Sequence, residues 1–271
     1  MSRIILKNKK VLITGGASGI GKIMVRKALE RGVSEIIIWD IDKEGLEKLK
    51  KDFATFESKI KIYTVDLSEI EEVITLANQI KKEIGIIDIL INNAGIVVGK
   101  HFLDHTTSEI SRTLLINAEA LMQTTRVFLP GMLAQNYGAI CNIASSAGLV
   151  SSPKMSVYVA SKWAVVGWSD SLRLELLEQT KDVSVTTIMP YYINTGMFDG
   201  VQSKVLPILE PEKTAEKIIC AIEKRTRILA MPLPYWFIRL AQGIFPLSVY
   251  EWIMDNVLGI YDTMNHFKGR K

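Results

Sequence analysis

Tyr158 and Lys162 stand four residues apart at the head of a helix-like segment that continues through Leu177. At i and i+4 they share one helical face, so the ammonium is held near the phenol. A free tyrosine titrates at about pH 10 and exchanges protons poorly at neutral pH, whereas a neighbouring cation favours the phenolate. The pair suits general acid/base chemistry. Tyr-x-x-x-Lys is common by itself, and its weight here comes from its company. The strand-like run 138–144 delivers Ser145 at its C-terminal end, where ligands bind in open α/β sheets. Asn117 sits in Leu114-Leu115-Ile116-Asn117-Ala118, where an amide among apolar residues in mid-helix needs a partner, in the core or at a site.

A second cluster is suited to phosphate. The buried run Val11-Leu12-Ile13 passes into Thr14-Gly15-x-x-x-Gly19-x-Gly21, and Ile20, Met24 and Ala28 then recur at helical spacing. Side chains at Gly15, Gly19 or Gly21 would obstruct the turn, the approach of a pyrophosphate or the packing of helix on strand. With Ser18 and Ile20 these glycines read as a dinucleotide cradle at a helix start, with an ordinary strand-to-helix turn as the alternative. Asp40 ends the next apolar run, Ile36-Ile37-Ile38-Trp39, at the place of the acid that accepts from adenosine ribose hydroxyls and repels a 2′-phosphate; otherwise it begins a turn. Asp42 is the expected cap of the following helix. Asp66 and Leu67 follow a third strand-like run, so Asp66 is either a turn residue or faces an adenine, while Ser68 and Glu71 are spaced as a capping box. Asn92-Asn93-Ala94-Gly95, after the run 86–91, places amides and small residues where a ligand can approach.

These residues need a particular scaffold. Strand and helix patterns alternate to about residue 230 without an evident linker, which predicts a parallel sheet with helices on both faces. The expectation is a single doubly wound Rossmann-type domain over 1–231, its seven strands ordered 3-2-1-4-5-6-7, with a C-terminal helical extension over 232–271. The formal net charge of +4 arises from 33 basic and 29 acidic residues, a mixed surface that gives no reason to expect a nucleic-acid partner. Cys141 and Cys220 lie in apolar runs and read as buried thiols rather than a disulfide or metal pair, which fits a reducing, cytoplasmic location. No apolar stretch is long enough for a membrane span, and the chemistry needs no metal.

In order and spacing, Thr14-Gly15-x-x-x-Gly19-x-Gly21, Asn92-Asn93-Ala94-Gly95, Asn117, Ser145 and Tyr158-x-x-x-Lys162 resemble the short-chain dehydrogenase/reductase superfamily over nearly the whole chain. The resemblance implies reversible hydride transfer between a nicotinamide dinucleotide and an alcohol or carbonyl. Tyr158 would be the general acid/base, Lys162 would lower its pKa and hold the nicotinamide ribose, Ser145 would orient the substrate oxygen and Asn117 would support a proton relay. It also places Asp66, Leu67, Asn93, Ala94 and Gly95 around the adenine side, and Pro190, Ile193 and Thr195 beside the nicotinamide. Asp40, with Ser18 where an NADP-binding chain would carry Arg or Lys, favours NAD over NADP.

Segments such as Ile193-Asn194-Thr195-Gly196-Met197-Phe198 resemble the branch holding retinol and hydroxysteroid dehydrogenases, without the N-terminal anchor such relatives usually carry. Tyr191 stands where the family commonly has glycine, and its ring is expected to narrow or line the nicotinamide pocket. The tail holds Tyr235, Trp236, Phe237, Phe245, Tyr250, Trp252, Tyr261 and Phe267, suited to a lid over an apolar substrate, a subunit contact or an interfacial membrane element. Val249, Trp252, Ile253, Val257 and Ile260 form a helical stripe, and Glu251 and Asp255 on the other face favour lid or subunit contact over anionic lipid. A homodimer or homotetramer paired through the helices around 107–135 and 160–177 is expected, acting on an apolar alcohol or carbonyl. An epimerase using bound NAD transiently and a catalytically silent nucleotide-binding scaffold are the alternatives.

Overall fold

The computed structural model describes residues 3–56, 59–179 and 182–269. Seven strands are present: β1 (Lys10–Thr14), β2 (Glu35–Asp40), β3 (Lys59–Thr64), β4 (Ile89–Asn92), β5 (Gly138–Ile143), β6 (Val183–Pro190) and β7 (Ile228–Met231). They pair in parallel in the order β3-β2-β1-β4-β5-β6-β7, as the alternating pattern predicts.

Parallel neighbours require crossovers, and these cover both faces. On one face α1 (Gly19–Glu30), α2 (Lys43–Asp52) and α7 (Pro211–Glu223) pack over Val11, Ile13, Ile36, Ile38, Ile89 and Ile91. On the other, α3 (Ile70–Ile84), α5 (Ala120–Ala134) and α6 (Ser156–Gln179) pack over Leu12, Ile37, Trp39, Leu90 and Ile140. Successive residues of one strand thus enter opposite cores, which is why the strands read as unbroken apolar runs rather than alternating ones.

Helix starts and stops follow local chemistry. Asp42 caps α2 by accepting from the Gly45 N–H at 2.9 Å, as expected. The Ser68 capping box does not form. The Ser68 N–H and hydroxyl both donate to Asp66 Oδ1, at 2.8 and 2.7 Å, because the ionised carboxylate is the stronger acceptor, and α3 begins only at Ile70. The fourth strand starts at Ile89, later than the apolar run that begins at Ile86. The helical segment after residue 106 has two α parts, α4 (Thr107–Leu114) and α5, joined by a π-helical turn over Leu115–Glu119. Thr106 and Glu109 form a full capping box at its start.

Beyond β7 come α8 (Tyr235–Ile244), α9 (Leu247–Trp252) and a second π turn, Ile253–Val257. The side chain of Tyr235 lies outside the described part of the structure. The helical stripe of the tail does not face one way as a unit: Val249, Trp252 and Val257 are exposed and Ile260 is buried, while Tyr250 and Met254, outside the stripe, are buried. Pro246 breaks the helix ahead of α9 and the π turn shifts the phase after Trp252, so a uniform helical period drawn through 249–260 selects the wrong face.

Replacing Met254 by Ala is therefore expected to cost about 2–5 kcal/mol of unfolding free energy. Val257→Ala should stay within about 0.5 kcal/mol. Urea denaturation of both variants checks this, and equal losses would restore the uniform stripe.

Candidate active site

The site lies along the carboxyl ends of the strands, where the order reverses between β1 and β4. Thr14, the last residue of β1, has its hydroxyl accepting from the Asn93 N–H at 3.0 Å and the Ala94 N–H at 3.1 Å. Asn93 answers with its amide, donating to the carbonyls of Thr14 at 3.0 Å and Gly15 at 2.9 Å. Two glycines make this approach feasible. Gly15 adopts a positive φ of 66°, and a Cβ there would lie 2.8 Å from the Ala94 Cα; a Cβ on Gly21 would collide with the Gly15 carbonyl oxygen.

A cleft of about 1250 Å³ follows this seam. Its walls carry every residue expected to hold a cofactor: Gly15, Ser18, Gly19, Ile20 and Gly21 at one end; Asp40, Asp66 and Leu67 beside them; Asn93, Ala94 and Gly95 in the middle; and Ser145, Tyr158, Lys162, Pro190, Ile193 and Thr195 at the other end. The start of α1 has no side-chain cap and no acid in its first turn, so its leading N–H groups and helix dipole favour an anion. Asp40 Oδ2 accepts from the Ala17 N–H at 2.9 Å and Oδ1 from the Asp42 N–H at 3.1 Å, which fixes the carboxylate at the end of β2. Burial works against the Asp66 charge, but bonds from Ser68 and the Arg112 guanidinium at 3.4 Å hold its carboxyl below the ordinary range.

The reactive end is assembled from three elements. Asn117 lies fully buried in the π turn, where its Oδ1 accepts from the Ile96 N–H at 2.8 Å. Its Nδ2 donates to the Ile96 carbonyl at 2.9 Å and to Ser161 Oγ at 3.0 Å, and Ser161 donates in turn to the Tyr158 carbonyl at 2.7 Å. The amide thus clasps the loop after β4 to the first turn of α6. Lys162 donates from Nζ to the Ile143 carbonyl at 3.0 Å and sits 5.6 Å from the centre of the Tyr158 ring. Burial pushes the Lys162 ammonium down to about 8, which leaves it charged at neutral pH. Burial likewise pushes the Tyr158 phenol up to about 12, and a hydrogen bond from Ser145 pulls the other way.

Several cleft residues escaped the sequence reading. Trp39, Ile96, Arg112 and Ile116 line it in addition. Their apolar or helical surroundings carry no signal that separates them from core or surface residues. Phe198 meets the Tyr158 ring edge-on at 6.1 Å. Tyr191 packs on Tyr192 with ring centres 4.5 Å apart and shares a hydrogen bond with Ser203 at 3.1 Å. Tyr191 is among the residues lining the cleft.

A second, mostly apolar cavity of about 810 Å³ adjoins the first. Ser145, Tyr191 and Phe198 belong to both walls. Leu233 and Ile238, together with Met254, Leu258 and Ile260 of the C-terminal segment, close its far side. Among the described residues no group of three or more His, Cys, Asp or Glu is placed to hold a metal ion, and no helix is long and apolar enough to cross a membrane.

A doubly wound sheet with a serine, a tyrosine and a lysine converging beside a phosphate cradle defines a Rossmann-type oxidoreductase. The chain belongs to the short-chain dehydrogenase family, whose model matches residues 9–205. It is 37% identical over 268 residues to epidermal retinol dehydrogenase 2 of Mus musculus, covering 96% of this chain and 85% of that protein. It is 33% identical over 259 residues to estradiol 17-beta-dehydrogenase 11 of Homo sapiens, covering 95% and 86%. A short chain dehydrogenase/reductase from Burkholderia phymatum, solved in complex with NAD, superposes with a TM-score of 0.79 at 24% identity, over 89% of this chain and 95% of that one, which shows the shared fold.

Because a Cβ on Gly21 collides with the backbone of the cradle, Gly21→Ala is expected to weaken dinucleotide binding by about tenfold or more, equivalent to about 1.4 kcal/mol. Far-ultraviolet circular dichroism should stay unchanged. Fluorescence titration with NADH measures the affinity, and undiminished binding would show that the cradle does not touch the phosphates.

Proposed function

We propose that this chain is an NAD(H)-dependent alcohol dehydrogenase and carbonyl reductase for an apolar substrate. The carrying observation is the common wall of the two cavities: the apolar chamber meets the cofactor cleft at Ser145, beside Tyr158. The cleft fits a dinucleotide in its chemistry as well as its shape. The uncapped start of α1 suits a pyrophosphate, the fixed Asp40 carboxylate suits ribose hydroxyls and opposes a 2′-phosphate, and the buried Lys162 ammonium suits the second ribose. When bound, the nicotinamide supplies the hydride donor or acceptor.

The chain's own residues handle the proton and the geometry. Ser145 Oγ holds the substrate oxygen beside Tyr158 Oη. In oxidation the phenolate takes the hydroxyl proton, and in reduction the phenol returns it. The Lys162 charge stabilises the phenolate when it forms, while Asn117 is a positioning residue that holds the loop after β4 against α6. Phe198 and Tyr191 exclude water around the phenol, and the segment 232–271 acts as a lid whose Leu233, Ile238 and Met254 select apolar substrates. Exposed Trp163, Leu174 and Leu177 on α6 support subunit pairing along that helix.

Three outcomes test this reading. Tyr158→Phe should lower turnover by about 10²- to 10⁴-fold with NADH affinity retained; a fully active variant would remove the assigned role. Asp40→Ala should raise the relative rate with NADP over NAD, and an unchanged preference would sink the ribose assignment. Since burial holds the phenol up at about 12 and leaves Lys162 charged only below about 8, alcohol oxidation, which needs the phenolate, should rise with pH between about 6 and 7.5 while carbonyl reduction stays level. Oxidation that falls over that range would contradict Tyr158 as the base.

A further inference from the structure

Helix α8 is built inside out. Its one neutral polar side chain, Gln242, points inward and donates to the Leu149 carbonyl at 2.7 Å and the Tyr250 hydroxyl at 3.4 Å. Outward, Trp236, Phe237, Leu240 and Ile244 are each more than half exposed, at a spacing that aligns them on one helical face. Across Pro246 the surface continues through Leu247 and Trp252, also more than half exposed. A whole large aromatic side chain presents on the order of 150–250 Å², so at half to two-thirds exposure these side chains together reach the several hundred Å² at which an exposed apolar patch marks an interaction site. Such a face exposed to water calls for a cover.

Chemistry narrows what the cover is. A protein partner would ask for about one hydrogen bond per 100–200 Å², and among the described side chains the outward face of α8 offers only Arg239, which already has a partner within the chain. A lipid surface asks for none, and favours Trp and Phe at its boundary. Glu251 and Asp255 lie in the next turns, with no cluster of Lys or Arg around the patch, so an anionic surface gains nothing here. The element also has a second side. Leu233 and Ile238, flanking the exposed Trp236 and Phe237, form part of the wall of the apolar cavity.

We propose that the α8–α9 face docks on the surface of neutral, zwitterionic lipid, placing the wall of the apolar cavity against the lipid phase. The docking itself rests on exposure and polarity alone, while its use for delivering substrate rests on the dehydrogenase reading. The test is flotation of the full chain with phosphatidylcholine vesicles in the absence of substrate. The chain should float, and the double variant Trp236→Gln/Leu240→Gln should partition about tenfold or more less, as expected for withdrawing two large side chains from an apolar phase. Its thermal midpoint should remain unchanged because both positions are solvent-facing.

Failure of the wild-type chain to float would overturn the proposal, as would equal flotation of the variant. Salt-sensitive binding that appears only when phosphatidylserine is added would overturn the neutral-lipid assignment. Sedimentation showing a dimer that the double variant dissolves, without vesicle binding, would assign the face to a second copy instead. Flotation reads no turnover, so a chain that floats yet oxidises no alcohol refutes the dehydrogenase reading and leaves the docking standing.

Discussion

The site depends on one close approach, between the end of β1 and the end of β4. These strands are neighbours in space although two strands and three helices separate them in sequence, and they mark the point where the sheet changes direction. Thr14 and Asn93 lock the two ends together through four hydrogen bonds, and Gly15 lets the backbones come close enough to make them. With that seam closed, the first turn of α1 and the loop after β4 face one cleft. A bulky side chain at Gly15 would push the glycine-rich turn away from the loop after β4.

The reactive end is held by the same kind of economy. The π turn at Leu115–Glu119 breaks the regular ladder of the long helix and brings Asn117 to the loop after β4. That amide then satisfies both backbone groups of Ile96 and reaches Ser161, so loop, π turn and α6 move as one unit. Tyr158 and Lys162 ride on α6 one turn apart and are both buried. Burial has opposite effects on their charged forms: it keeps the phenol protonated and makes the ammonium easier to discharge. The ammonium remains charged at neutral pH, and its field falls on the phenolate whenever one forms.

Much of this was legible in the sequence because the relevant signals are local. Apolar runs ending in Gly, Asp or Asn mark strands that deliver polar residues to one edge, and the intervening helices need only their period. Asp42 before α2 is a cap by composition alone, and the structure uses it so. The failures come from competition between neighbours. Ser68 has the right spacing for a capping box, but the carboxylate of Asp66 two residues earlier claims its hydroxyl and N–H. Arg112 reaches the cleft through tertiary folding, with nothing beside it in sequence to set it apart from the surface. The i, i+4 spacing reports the proximity of Tyr158 to Lys162 but not the depth of burial, and burial raises the phenol.

The tail shows a different limit. Its composition signals an unusual surface, but periodicity could not assign inside from outside. A regular helix through 249–260 would bury Trp252 and Val257, whereas the break at Pro246 and the π turn at Ile253 rotate Tyr250 and Met254 inward instead. In α8 the inward choice is decided by one polar group. Gln242 finds the Leu149 carbonyl, and anchoring that amide fixes the helix with Ile238 toward the cavity and Leu240 and Ile244 toward the exterior. A half-buried amide with two partners offsets its own desolvation, and the consequence is an apolar exterior that the fold does not cover by itself. The same hydrogen bond thus accompanies Ile238 in the wall of the apolar cavity and Leu240 and Ile244 on the exterior.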